Sequence, residues 1–147
     1  MRFIALCGLV AGFAAVLPAV AAEGPTNTSC AAIAFRPVAP GDTDGEQTAA
    51  YYKSHLGRIE IRTVVQGGKS ERYFVILNGE PLKPVARVPD AVVACAKAKR
   101  LTAPANAEST CLGDRLMVLI AHTPEQRYLL LYAHHGNNWH FCSAGRS

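Results

Sequence analysis

The residues with the greatest capacity for chemistry crowd one short stretch, His134-His135-Gly136-Asn137-Asn138-Trp139-His140. Imidazole binds transition metals and exchanges protons near neutral pH, so the spacing of these histidines decides which chemistry is open. A turn at Gly-Asn-Asn folds the stretch into a hairpin. With residues 136–138 as the loop, His135 faces Trp139 and His134 faces His140; with only Asn137 and Asn138 in the loop, His135 faces His140 instead. Facing Cβ atoms stand about 4.5 to 5.5 Å apart, close enough for two imidazoles to share an ion. Successive strand residues point to opposite faces, so either arrangement excludes one of His134 and His135.

The preceding hairpin extends the cluster. A four-residue turn at residues 123–126 pairs His122 with Arg127, which brings Arg115 beside His134 and Asp114 beside His135. Drawn from His134, His135 and His140, two imidazoles with the Asp114 carboxylate make a minimal zinc or copper site. Two histidines with Arg115 outline the acid, base and charge stabiliser of a small secreted ribonuclease-like hydrolase. No phosphate-cradling glycine loop or nucleophile elbow accompanies them. A third use of side chains is recognition. Tyr51, Tyr52 and Trp139 stand beside polar or turn residues and are the candidates for an exposed protein-binding patch, whereas Tyr73, Tyr128 and Tyr132 lie within apolar strands and belong to the core.

These residues must be held by a small exported domain. The first 22 residues carry one charge, at Arg2, then an apolar run from Phe3 to Leu17, Pro18 and a tail of small residues; this is the layout of a cleaved secretory signal. The expected organisation is a leader over residues 1–22 and one disulfide-stabilised domain over residues 23–147, periplasmic or secreted. No second long apolar run follows, so no membrane span is expected after cleavage. A formal charge of +4, one unit of it in the leader, is too mild to argue for a nucleic-acid partner. Four cysteines remain, Cys30, Cys95, Cys111 and Cys142, and an even number in an exported chain reads as two disulfides. Of the three pairings, a short loop from Cys95 to Cys111 and a bridge from Cys30 to Cys142 tying the chain ends together is preferred.

Hydrophobic patterning supplies the elements. Residues 30–36 read as a strand stopped by Pro37. Asp42 and Asp44 invite a calcium reading, but an EF loop beginning at Asp42 would place Gln47 where glycine is required. Thr43 and Glu46 read instead as a capping box opening a short helix over about residues 44–54. Residues 58–66 alternate cleanly, with Ile59, Ile61, Thr63 and Val65 on one face. A partner strand follows Gly67-Gly68, Asn78-Gly79 signals a type I′ hairpin turn, and Pro81 and Pro84 confine what comes next to a sheet edge. Pro89 through Arg100 reads as a helix with Lys97, Lys99 and Arg100 at its C-terminal end. Residues 115–122, 127–135 and 139–143 form an antiparallel meander, in which residues 128–133 are apolar on both faces and therefore central.

The expected fold is α+β: an antiparallel sheet of six to seven strands in two meanders, about residues 58–86 and 115–143, joined by one helix at about 89–100. The function expected is that of a non-catalytic exported binding protein of inhibitor, immunity or envelope-accessory type. Its partner would be another exported or envelope protein, met through a protein surface, and no cofactor is expected. The alternatives are metal binding through the histidine cluster and ribonuclease-like hydrolysis.

Overall fold

A computed structural model describes residues 27–107 and 111–147; the leader expected at residues 1–22 lies outside the described residues. Among the described residues nine strands and one helix follow one another as β1 (Ser29–Phe35), β2 (Gly45–Ser54), β3 (Gly57–Gln66), β4 (Lys69–Leu77), β5 (Glu80–Pro81), β6 (Lys83–Pro84), α1 (Asp90–Ala98), β7 (Arg115–His122), β8 (Arg127–His135) and β9 (Asn138–Arg146). They build two antiparallel sheets, a five-stranded one ordered β1-β7-β8-β9-β6 and a four-stranded one ordered β2-β3-β4-β5. The expectation of a single sheet of six to seven strands is corrected to two. One side of the five-stranded sheet packs on the four-stranded sheet, and its other side carries α1.

Period-two alternation explains this layering. On β8, Leu129, Leu131 and Ala133 point into the core shared with Ile59, Ile61, Val75 and Leu77 of the other sheet. Leu130 and Tyr132 point the other way, against Val92, Cys95 and Ala96 of α1. A strand covered on both sides must be apolar throughout, which is why β8 has no polar position between Tyr128 and His134. The Tyr132 hydroxyl is satisfied inside this layer by donating to the Thr102 carbonyl at 2.7 Å, and burial pushes its ionisation well above the ordinary tyrosine value.

Local sequence accounts for most of the turns. Asn78 and Gly79 both adopt positive φ, 53° and 84°, between the paired Leu77 and Glu80. The turn at residues 123–126 closes with the Thr123 N–H donating to the Gln126 carbonyl at 2.9 Å, fixing His122 opposite Arg127. Pro81 and Pro84 lie in the two-residue strands β5 and β6, each at the edge of a different sheet. Between them the chain crosses from one sheet to the other, and Leu82 packs against the shared core. Helix α1 ends in a Schellman turn: Arg100 takes φ 60°, and the N–H of the buried Leu101 returns to the Ala96 carbonyl.

Two further expectations fail, for separate reasons. The helix expected at residues 44–54 is strand β2. The Glu46 carboxylate is drawn to Arg62 across the strand pair at 3.3 Å, and the Thr43 carbonyl accepts from the Gln47 side chain, so no capping box forms. Thr48, Tyr51 and Tyr52 favour extended backbone, and a ready-made partner in β3 decides the matter. The disulfides are Cys30–Cys95 and Cys111–Cys142, rather than Cys95–Cys111 and Cys30–Cys142. Cys30 and Cys95 lie in the layer between the sheet and α1, whereas Cys111 and Cys142 lie in the core between the sheets. Either preferred bond would have had to pass through the five-stranded sheet.

Closing loops of 65 and 31 residues contributes about 4 kcal/mol each in the chain-entropy description. Peptide mapping of the oxidised protein without reduction is expected to yield the Cys30–Cys95 and Cys111–Cys142 pairs, and the double substitution Cys30→Ser, Cys95→Ser to lower the unfolding free energy by about that amount. Arg100→Gly is expected to raise stability by about 0.5 to 1 kcal/mol, measured by urea unfolding, because it relieves a left-handed non-glycine residue on the surface.

Candidate functional site

The histidine cluster is built at one end of the five-stranded sheet, and the turn that builds it is Gly136-Asn137. Its pairs are His135 with Asn138, His134 with Trp139 and Ala133 with His140. Both arrangements expected from sequence start the second strand too late; Gly136, at φ 65°, takes the first turn position. The consequence is a division by face. His134 and Trp139 stand on the α1 side, while His135 and His140 meet diagonally on the other side as parallel stacked rings with centroids 3.7 Å apart.

On the α1 side a compact polar relay surrounds His134. Arg115 is directly opposite it across the strands, as the hairpin count requires. Asp114 turns its carboxylate to His134 and not to His135: Oδ1 lies 3.2 Å from Nδ1, and the Asp114 N–H donates to the His134 carbonyl at 3.2 Å. This approach depends on Gly113, where a Cβ would come within 2.4 Å of the His134 carbonyl oxygen. The Arg115 Nη2 lies 3.3 Å from His134 Nε2. Guanidinium only donates, so this contact takes Nε2 as the acceptor and directs an Nδ1 proton at Asp114. The Trp139 indole meets the imidazole edge to face at 5.0 Å and lies 5.4 Å from the Arg115 guanidinium. The His134 side chain is 17% exposed and Asp114 69%.

This geometry bears on both chemical alternatives. An acid and a base for hydrolysis would need two imidazoles on one face with Arg115; only His134 is there. A metal site from the four candidates would need them convergent; Asp114 and His134 lie across the sheet from His135 and His140. Among the described residues no three His, Cys, Asp or Glu side chains are placed to hold one ion. The lone pair of His134 that a metal would take already receives Arg115.

The aromatic candidates are likewise separated. Trp139 is half-buried against the α1 layer, and the Thr102 hydroxyl donates to its carbonyl. Tyr51 and Tyr52 lie together on β2, the outermost strand of the other sheet, 60% and 44% exposed. Tyr52 points to the core side and meets Phe35 of β1 edge to face at 6.4 Å. Tyr51 points outward, with the Arg58 guanidinium 4.5 Å above its ring. Because β1 is outermost in its own sheet, the free edges of both sheets lie on the same flank. A groove of about 500 Å³ opens there, walled by Phe35, Val38, Ala50, Tyr51 and Tyr52. Val38, 62% exposed, belongs to this site without any sequence signal beyond its position after Pro37.

The outer face of β2 and β3 is electrostatically tied. Thr48 donates to the Glu60 carboxylate, and this bond, then Arg62, holds Glu60 below its ordinary value. Arg62 also reaches Glu46. At the histidine end, the hydrogen bond from His134 holds Asp114 below its ordinary value. A depressed carboxylate contributes stability at neutral pH and loses it as pH falls through its folded value. Carboxyl-resolved NMR titration is therefore expected to place Asp114 low in the native protein and to return it to the ordinary range in His134→Ala; stability of native protein and Asp114→Asn should converge in acid. Nitrogen-resolved spectra at neutral pH should place the His134 proton on Nδ1.

Comparison of the chain with protein families, with characterised proteins and with solved structures gives no match.

Proposed function

We propose that this is an exported, non-catalytic binding protein that recognises another exported or envelope protein through the flank where β1 and β2 present their free edges. The single observation that carries the reading is the groove walled by Phe35, Val38, Ala50, Tyr51 and Tyr52, with three large apolar side chains exposed at its rim. Aromatic residues standing open beside an apolar cleft are the usual anchors of protein recognition, since they offer large contact area with little rotamer entropy to lose. An unpaired strand edge adds a row of backbone donors and acceptors that a partner can complete.

Export is supported by the sequence of the first 22 residues and by two disulfides, which persist in oxidising compartments. No helix among the described residues is long and apolar enough to cross a membrane. The two ends of the protein then have different work. The Asp114, His134 and Arg115 relay pins the β7 and β8 ends together, and the tyrosine flank meets the partner.

The test is affinity capture from the exported-protein fraction of the source cells, comparing the oxidised protein with Tyr51→Ser, Tyr52→Ser. The expected result is a partner retained by the native protein and lost by the double variant, whose thermal unfolding is checked for a native transition. Equal retention by both, or retention of nothing by either, overturns the proposal.

A further inference from the structure

The exposed flank is not uniform along β2. Over its first half the edge is already covered by the connection from β1: the Val38 N–H donates to the Ala49 carbonyl at 3.0 Å. The Gln47 side chain accepts from the Gly41 N–H at 2.8 Å and donates to the Thr43 carbonyl at 2.6 Å. The register shift between Thr48 and Ala50 marks where this covered portion ends. Beyond it, residues 50–54 pair only with β3.

Charge is uneven along the same strand. Glu46 and Asp44, beside the covered half, are engaged with Arg62 and with the Gly67 N–H at 3.0 Å, and Glu60, opposite Tyr51, with Arg62. Apart from Glu60, whose carboxylate is taken by Thr48 and Arg62, the charged side chains around the bare half are cations. Lys53 stands directly opposite Arg58 in the strand pair, and Arg36 lies on the groove wall. None of the three takes part in an ion pair among the described residues. Like charges placed opposite one another across a strand pair are destabilising; Arg58 is turned onto the Tyr51 ring, and Lys53 faces outward without an acid beside it.

Resting on the binding role proposed above, we infer that residues 50–54 of β2 receive an extended, acidic segment of the partner protein as an added strand. Alternation sets the pattern of that segment. Tyr52 faces the groove with Phe35, so every second residue of the incoming strand is apolar and enters the groove; Tyr51 and Lys53 face outward, so the residues between are carboxylates that meet Lys53 and Arg58. A second copy of this chain is the poorer occupant. Antiparallel pairing of two such edges would bring Lys53 and Arg58 of both copies together.

The probe is a short capped peptide alternating valine with glutamate, compared with its valine-lysine counterpart, titrated into the oxidised protein and followed through backbone amide shifts. The glutamate peptide is expected to move the amides of residues 50–54, to bind more weakly as salt is raised, and to prefer the native protein over Lys53→Glu by roughly tenfold. Lys53→Glu should in turn favour the lysine peptide. Absence of shifts on β2, shifts centred elsewhere, or equal binding of the two peptides overturns the inference. If tyrosine-dependent capture of a partner persists while the glutamate peptide leaves β2 untouched, the acidic-strand inference falls and the binding role stands. If capture fails as well, both fall.

Discussion

Everything in this protein hangs on β8, the strand that is buried from both sides. Leu129 and Leu131 anchor the core between the sheets, and Leu130 and Tyr132 anchor the layer beneath α1. Each such side chain, taken from water, contributes about 1.5 to 3 kcal/mol. Because the side-chain period of a strand is two, this double burial admits a single register. A slip of one residue would exchange the two layers and every contact that depends on them.

That register sorts the chemistry-bearing residues before any of them interacts. It sends Cys30 and Cys95 to the α1 layer and Cys111 and Cys142 to the inter-sheet core, so the disulfides join residues on the same side. It sends His134 to Arg115, Asp114 and Trp139, and His135 to His140. The cluster that looks continuous along the chain is two separate contacts in space. One is a relay with every polar atom of the imidazole occupied; the other is a stacked pair on the opposite side of the sheet.

The two flanks of the sandwich differ for a topological reason. On one, β5 and β6 carry the chain between the sheets within a few residues, and Leu82 fills the space between them. On the other, the connection from β1 to β2 is longer and lies along only half of the β2 edge. What remains is a short run of unpaired backbone with two tyrosines around it and three cations that make no ion pair among the described residues. Elsewhere on the same pair of strands each acid has its donor.

Much of this was legible in the residues alone. The boundaries of β7 and β8, the type I′ turn at Asn78-Gly79, the edge placement of Pro81 and Pro84, the helix near residues 89–100 and the centrality of β8 follow from local turn chemistry and hydrophobic period. So does the pairing of Arg115 with His134, which depends on short-range counting. Tertiary structure decided the rest. Whether residues 45–54 extend or coil was settled by the presence of β3, and whether there is one sheet or two by the crossing at Leu82. The cysteine partners and the division of the histidines were settled by which side of a sheet each residue faces relative to layers far away in sequence. Sequence carries the period of a strand, but the identity of what covers each face belongs to the assembled fold.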